Sequence, residues 1–147
     1  MQGFAINNIS KNNLKQKGDK IILNLFDKGI SAKYKIFGKF IYLETKDQIL
    51  SKKLKLEYYN ASLSTDKKDE IFNTIANLIE TTKEPPNFAI KVDRRGEHKY
   101  TSTDLAREVA GAVFDKWPNI KVNLGKPSLE VNIQIINNRS IIYLRNQ

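Results

Sequence analysis

Residues 88–114, FAIKVDRRGEHKYTSTDLAREVAGAVF, contain the pattern that decides the fold of this chain. Apolar and polar side chains alternate over Phe88–Val92, which predicts a β-strand, and residues 93–100 then predict a charged loop. Thr101-Ser102-Thr103-Asp104 has the polar chemistry of a helix N-cap, and the apolar residues after it recur at helical spacing until Pro118. The stretch therefore predicts a strand, a basic loop and a short helix.

The residues before this stretch predict a smaller unit. Four segments have the β-favouring or alternating composition of short strands: residues 3–7, 32–37, 39–44 and 55–60. A helical pattern lies between the first two, with Ser10 at its N-cap and Gly29 after its end, and residues 47–53 fit one or two helical turns. The first three strands and the helix follow the order βαββ, which with the fourth strand predicts a reduced split-βαβ unit.

Helix and strand patterns also flank the quoted stretch on both sides. Ser64-Thr65-Asp66 opens an amphipathic pattern that predicts a helix to about Lys83, ended by Pro85-Pro86. Asn137-Asn138 predicts a two-residue hairpin turn, because Asn tolerates positive φ. Further strands are predicted at residues 120–124, 129–135 and 140–144. We expect a mixed α/β fold of two domains, residues 1–61 and 62–147.

The composition indicates a soluble, basic protein. Twenty-five Lys and Arg residues against 16 Asp and Glu give a formal net charge of +9, which favours a polyanionic partner such as nucleic acid or an anionic membrane surface. All five arginines lie in residues 85–147, and a guanidinium suits phosphate better than an ammonium does. The absence of cysteine excludes Cys-type metal sites, and the single histidine nearly excludes His-based ones. No apolar run reaches the length of a membrane span, so we expect a cytoplasmic protein with no membrane contact.

No residue pattern predicts catalysis. The chain has no nucleophile elbow, Walker loop or glycine-rich dinucleotide fingerprint. His98 lies between Glu97 and Lys99 in a polar loop, and no orienting partner for a general base is evident. We interpret it as an exposed loop residue or a minor RNA contact.

Binding chemistry is concentrated directly after the predicted strand. Arg94-Arg95-Gly96 leads through the loop to Lys99-Tyr100-Thr101-Ser102 at the helix start. Cations, hydroxyls and free helical N–H groups form the kind of site that phosphates occupy, but the same residues also suit a solvated basic loop with an ordinary N-cap. Residue spacing alone does not distinguish a phosphate site from a solvated loop with an N-cap. Arg107 either extends this face or pairs with Asp104. Further candidate cations are Lys121, Lys126 and Arg139.

Several of these residues together resemble the signature of a THUMP domain. In that family a strand ending in Arg-Arg-Gly, here Arg94-Arg95-Gly96, leads to an aromatic residue, hydroxyl residues and a helix like Asp104–Gly111. The continuation Lys121–Val131 is similar to a turn of the family, with Asn123 and Ser128 where aspartates are common. The resemblance covers about residues 62–145, and the order of several motifs makes it specific.

The resemblance implies a domain arrangement and a binding function. THUMP domains are RNA-binding modules of tRNA-modifying systems, usually preceded by a small ferredoxin-like domain. Residues 1–61 resemble that domain in reduced form, and we expect it to be packed on the THUMP domain with a mixed sheet. The resemblance also implies contact with the acceptor stem and single-stranded 3′ end of tRNA.

It further implies a non-catalytic role, because no synthetase, methyltransferase or deaminase signature accompanies the motif. We expect no enzyme and no cofactor or metal, but a protein that presents tRNA to a separate modification enzyme, like the stand-alone adaptor of a cytidine acetyltransferase. The alternative is a detached tRNA-binding subunit of a split 4-thiouridine synthetase, and a small enzyme built around Lys or Asp is a third hypothesis. The implied RNA contacts are Arg94, Arg95, Gly96, Lys99, Tyr100, Thr101, Ser102, Arg107, Lys121, Lys126 and Arg139.

Overall fold

The computed structural model describes residues 2–6, 13–46 and 57–146, which contain eight strands and three helices. In chain order they are β1 (Gln2–Ile6), α1 (Leu14–Asp27), β2 (Ala32–Phe37), β3 (Phe40–Thr45), β4 (Tyr58–Thr65), α2 (Lys68–Leu78), β5 (Asn87–Arg95), α3 (Ser102–Lys116), β6 (Lys121–Val122), β7 (Leu129–Ile136) and β8 (Arg139–Asn146). The contacts divide them into two units, Met1–Ala61 and Ser62–Gln147. The predicted cap at Ser10 and the predicted helical turns at 47–53 lie outside the described residues.

In the first unit, α1 packs on an antiparallel sheet with the strand order β2-β3-β1-β4. The core forms between strand residues such as Ile6 and Leu43 and helix residues such as Leu25, all of them buried. Gly18 lies against Tyr34, because a Cβ added to Gly18 would lie 2.3 Å from Cε2 of that ring. The glycine that weakens helix propensity therefore gives the sheet room to approach the helix.

The second unit has a mixed sheet with the order β8-β7-β5-β6, in which β5 runs parallel to β6 and β7 while β7 and β8 are antiparallel. Helices α2 and α3 cover one face, and the core between helices and sheet includes Ile71, Leu105 and Ile133. The two helices approach closely at Gly111, whose added Cβ would lie 3.1 Å from the Phe72 ring. The predicted mixed α/β fold is confirmed, as is the order α-β-α-β-β-β of this unit.

The predicted β7–β8 hairpin forms, as does a hairpin between β2 and β3, and each turn contains a residue with positive φ. Gly38 has φ 57° between β2 and β3, and Asn137 has φ 54° between β7 and β8. Two-residue turns that match the twist of antiparallel strands require this backbone conformation, which Gly and Asn adopt at low cost. Local turn chemistry thus determined both hairpins.

Several predicted boundaries were wrong. Strand β4 continues through Thr65, where a helix start was predicted, because the Thr65 carbonyl accepts from the Ser140 hydroxyl (2.8 Å) and the Asp66 N–H donates to the Asn138 carbonyl (3.1 Å). Helix α2 consequently begins at Lys68 and ends at Leu78, short of Lys83. Strand β5 includes Arg94 and Arg95, and β6 is shorter than the predicted 120–124. Among the described residues, no helix has the length and apolar character that a membrane span requires.

Candidate functional site

The two arginines at the end of β5 lie on opposite faces of the sheet, because alternate residues of a strand do so. Arg94 pairs in register with the buried Ile135 and is half-buried on the helix side. Its Nη1 donates to Nδ1 of His98 (3.1 Å), and its Nε lies 3.4 Å from the Ser102 hydroxyl. Arg95 is exposed on the other face. The predicted Arg-Arg pair is therefore not one guanidinium cluster.

The loop after β5 is held against the β7–β8 hairpin. Gly96 has φ +99°, and a Cβ added there would lie 2.5 Å from Oδ1 of Asn137. The N–H of Asn137 donates to the carbonyl of Arg95 (2.9 Å). Glycine is required at position 96 both by its backbone conformation and by this close approach.

The side chain of His98 is buried, contrary to the sequence-based interpretation of an exposed loop residue. Its side chain is 0% exposed, and Nε2 donates to the carbonyl of Asn137 (2.7 Å) while Nδ1 accepts from Arg94. These two bonds assign the neutral tautomer with hydrogen on Nε2. Nε2 also lies 3.8 Å from the Asp66 carboxylate. His98 thus joins three segments that are distant in sequence, which no local pattern could indicate.

Tyr100 is engaged within the protein. Its ring stacks on His98 at 5.5 Å between centroids, the Lys68 ammonium lies 5.6 Å from the ring centroid, and its hydroxyl donates to the carbonyl of Asp66. Burial, and then the charge of Asp66, raise the pKa of Tyr100, while Arg94 acts in the opposite direction. Tyr100 therefore fixes the loop and has its ring occupied by protein contacts.

The hydroxyls at the start of α3 also have partners. Thr101 caps the helix as predicted, since its Oγ1 accepts from the Asp104 N–H at 3.1 Å. Ser102 is half-buried and lies beside Arg94. Both hydroxyls stabilise the junction between loop and helix.

Six of the predicted cations are exposed and have no ion pair among the described residues. Four of them belong to β5, the loop after it, α3 and the β7–β8 hairpin: Arg95, Lys99, Arg107 and Arg139. Arg107 does not form the alternative pair with Asp104. Arg95 and Arg139 both lie in register with Ile136, which places their backbones about 10 Å apart, or two strand spacings. The carboxyl end of β5 and the adjoining hairpin thus present unneutralised positive charge.

A groove of about 680 Å³ adjoins this region, lined by Asp66, Lys67, Lys68, Glu97, His98, Lys99 and Tyr100. Lys68 forms an ion pair with Glu108 at 3.0 Å, whereas Lys67 is exposed with no ion pair in the described part of the chain. No local pattern indicates Lys67 or Lys68, because only folding brings the start of α2 beside a loop some 30 positions later.

Lys121 and Lys126 lie apart from the other candidates. Lys121 pairs in register with Asn87, the first residue of β5, so it lies about 26 Å along the strand from Arg95. Lys126 follows a turn in which Oδ1 of Asn123 accepts from the N–H groups of Gly125 and Lys126, each at 3.1 Å. The asparagine therefore supplies the acceptor oxygen that an aspartate would offer at this position.

The exposed cations among the described residues have the chemistry that suits anions. No group of three or more His, Asp or Glu side chains within residues 2–6, 13–46 and 57–146 is arranged to hold a metal ion. Exposed guanidinium and ammonium groups, in contrast, project from β5, its loop, α3 and the hairpin. Such groups bind phosphate oxygens.

Comparisons with known proteins identify relatives that act on tRNA. The chain is 29% identical over 148 residues to tRNA (guanine(6)-N2)-methyltransferase of Methanocaldococcus jannaschii. The aligned region covers 94% of this chain and 38% of that protein. It is 32% identical over 70 residues to tRNA sulfurtransferase of Vibrio campbellii, and this aligned region covers 48% of this chain and 14% of that protein.

The fold matches a solved structure over nearly the whole chain. Superposition on a 4-thiouridine synthetase solved with RNA and bound ATP gives a TM-score of 0.70 at 12% identity, covering 99% of this chain and 41% of the other. The chain therefore spans less than half the length of each of these relatives. The family model described as the THUMP domain matches residues 66–145, which confirms the resemblance read from the Arg-Arg-Gly motif. This chain belongs to the THUMP domain family.

Proposed function

We propose that this chain is a non-catalytic tRNA-binding protein. It recognises the acceptor stem and single-stranded 3′ end and presents tRNA to a separate modification enzyme, such as a cytidine acetyltransferase. Supporting this, the relatives named above are a methyltransferase and a sulfurtransferase of tRNA, and the matched region is the THUMP domain. In this proposal residues 1–61 form the reduced ferredoxin-like domain and residues 62–147 the THUMP domain.

The observation behind the proposal is the group of exposed, unpaired cations at the carboxyl end of β5. Arg95, Lys99, Arg107 and Arg139 come from a strand, a loop, a helix and a hairpin. Charges spread in this way suit successive phosphates of a nucleic-acid backbone rather than a single small anion. We assign them as phosphate contacts.

The remaining predicted residues take a supporting role in this proposal. Arg94, Tyr100, Thr101 and Ser102 are bonded within the protein, and Gly96 fits the hairpin. Since these contacts engage the aromatic ring, selectivity for tRNA comes from backbone shape and the unpaired 3′ end rather than from base stacking on Tyr100. Lys121 and Lys126, at the other end of β5, contact RNA only where it extends beyond the loop.

A detached tRNA-binding subunit of a split 4-thiouridine synthetase is the second candidate. The likeness in fold to the synthetase over 99% of this chain favours it. The two candidates differ in the partner: the adaptor acts with an acetyltransferase, and the subunit with a polypeptide that has the synthetase chemistry. Reconstitution of the chain with each enzyme class and analysis of tRNA nucleosides by mass spectrometry distinguishes them.

The direct test is a binding titration with intact tRNA, the same tRNA without its single-stranded 3′ end, and duplex DNA at two salt concentrations. We expect intact tRNA to bind most tightly, trimming to weaken binding, and affinity to fall steeply with salt because phosphate contacts release counterions. Equal, weak binding of all three contradicts the proposal. A changed nucleoside after incubation of this chain alone with tRNA and common group donors contradicts the non-catalytic role.

A further inference from the structure

Strand β5 has an unpaired edge on the side away from β7. Strand β6 pairs with only the first two residues of β5, and the N–H of Asn123 then donates to the Phe88 carbonyl (2.9 Å). Peptide groups of alternate residues in a strand point to the same side, so those of Ile90, Val92 and Arg94 also point away from β7. In the described part of the chain, no group bonds to them. Three N–H groups and three carbonyls are therefore open along this edge.

Helix α3 borders this edge with an apolar side. Helix α2 packs on β8 and α3 on β5, so the side of α3 away from α2 lies next to the edge. Ala106, Ala110 and Phe114 recur at four-residue spacing and share one side of the helix. The Phe114 ring contacts the Phe88 ring of β5 at 5.4 Å between centroids, whereas Gly111 contacts α2. The edge is thus apolar on the helix side.

Three exposed hydrophobic side chains lie at the same edge. Phe114 is 36% exposed, Val122 53% and Leu124 68%. Val122 pairs in register with Phe88, and the Leu124 carbonyl accepts from the Lys91 ammonium (3.1 Å), so both are held beside β5. Six large hydrophobic residues are this exposed among the described residues, and half of them are here. Apolar surface grouped beside an unpaired strand edge is typical of a docking site.

The other side of the edge is basic. Residues 87–95 and 121–126 contain four exposed cationic side chains and a single acid, Asp93. Lys91 and Lys121 lie on the sheet face opposite to the helices, because each is one strand position from a residue on the helix side. This face therefore favours acidic side chains in a partner.

A polypeptide satisfies this edge better than a nucleic acid does. The phosphates of RNA offer acceptors only, so they leave the carbonyls of the edge without donors. An extended peptide offers N–H and C=O groups at strand spacing, and its side chains alternate between the two faces.

We propose that the edge of β5 over residues 90–94 binds an extended segment of a partner protein in which apolar and acidic side chains alternate. The segment adds a strand beside β5. Its apolar side chains pack beside Val92 and Phe114, and its acidic ones lie beside Lys91 and Lys121. This surface is additional to the phosphate contacts assigned above, and the inference does not depend on tRNA binding.

The first test changes the peptide and leaves the protein intact. The probe is a fluorescein-labelled peptide of alternating valine and glutamate, long enough to pair with residues 90–94, titrated with the full chain by fluorescence anisotropy. Two controls carry N-methyl groups, one on every valine and the other on every glutamate. Only one of these two sets of N–H groups faces β5 in an added strand, so we expect one control to bind at least about tenfold more weakly and the other to bind like the probe.

Equal affinities of the two methylated peptides overturn the inference, as does a probe that does not bind. A third control replaces glutamate by lysine, and we expect it to bind at least about tenfold more weakly than the probe. Equal binding of the lysine peptide overturns the acidic character of the partner.

The second test compares Val92→Pro with Val92→Ala. Proline removes an N–H that faces the open edge without loss of a bond to β7, whereas alanine shortens the side chain and retains the N–H. We expect proline to weaken binding of the probe at least about tenfold and alanine to weaken it less. Equal effects in folded variants overturn the strand pairing. If circular dichroism shows that Val92→Pro does not fold, the methylated peptides decide the inference.

Two results assign the edge to another occupant. If a single-stranded oligouridylate displaces the probe at constant ionic strength and binds Val92→Pro more weakly than wild type, the edge binds RNA. If the wild-type chain sediments as a dimer and Val92→Pro as a monomer, a second copy of the chain occupies the edge. Either result overturns the inference.

Discussion

Gly96 lies against Asn137 so closely that a Cβ added to the glycine would approach Oδ1 of the asparagine to 2.5 Å. The backbone of Gly96 also has φ +99°, in the region that disfavours residues with a Cβ. We expect Gly96→Ala to lower the free energy of unfolding by about 1–3 kcal/mol. Urea denaturation followed by circular dichroism measures this change.

Gly125→Ala is the control for that substitution. A Cβ on Gly125 would meet its nearest neighbour, Oδ1 of Asn123, at an ordinary 3.7 Å. We expect a change within about 0.5 kcal/mol. Equal losses at Gly96 and Gly125 would show that the contact with Asn137 does not determine the loop.

We expect replacement of Arg94 to affect stability and replacement of Arg95 to affect RNA binding. Arg94→Ala leaves the buried Nδ1 of His98 without its donor, so we expect a loss of about 1–3 kcal/mol in unfolding free energy. Arg95→Ala changes an exposed residue, and we expect a stability change within about 0.5 kcal/mol but a salt slope for tRNA binding lowered by about 1. Urea unfolding and salt-dependent titration of both variants check this. A stable Arg94→Ala variant together with a destabilised Arg95→Ala variant contradicts the geometry.

Local sequence chemistry predicted those parts of the fold that depend on neighbouring residues. The Asn137-Asn138 turn and the Thr101 cap are examples, because each is decided by a backbone angle or a hydrogen bond within a few positions. The start of α2 was wrong because Thr65 is held in an extended conformation by Ser140, 75 positions later. No pattern within a short window indicates that bond.

In the candidate site, too, local sequence indicates some features and contacts between distant residues decide the others. The sequence indicated that residues 94–102 are basic and polar, but alternation of strand faces and burial decide which of them are free. His98 is the clearest case, since its partner Asn137 is 39 positions away and converts a polar loop residue into a buried one. Lys67 was missed for the same reason, because only the packing of α2 beside the loop brings it to the groove.

Tyr100 is expected to make stability depend on alkaline pH. Its pKa is raised above the ordinary 10.0 chiefly by burial, so the folded chain retains this proton where the unfolded chain loses it. The contribution of protonated Tyr100 to stability is therefore complete below pH 10 and is lost as the pH rises through the pKa of the folded state. The free energy of unfolding falls over this range by at most about 1.4 kcal/mol per pH unit.

Comparison with Tyr100→Phe isolates this contribution from other titrating groups, including Tyr42, whose pKa is also raised, first by burial and then by Glu44. We expect the phenylalanine variant to be less stable at pH 8, because the bond from the Tyr100 hydroxyl to Asp66 is lost, and the difference from wild type to narrow above pH 10. Urea denaturation from pH 8 to 11 measures both. A difference that stays constant across this range contradicts the assignment.

Asn123 is expected to support the turn before β7 through its side-chain oxygen alone. Its Oδ1 accepts from the N–H groups of Gly125 and Lys126, both at 3.1 Å, and an alanine leaves those donors to water. We expect Asn123→Ala to lower the free energy of unfolding by about 1 kcal/mol, because the site is exposed and water replaces part of the bonding. Asn123→Asp retains the oxygen and restores the residue common in the family, so we expect it to stay within about 0.5 kcal/mol of wild type in urea denaturation. If Asp destabilises as much as Ala, the amide nitrogen rather than the acceptor oxygen matters at this position.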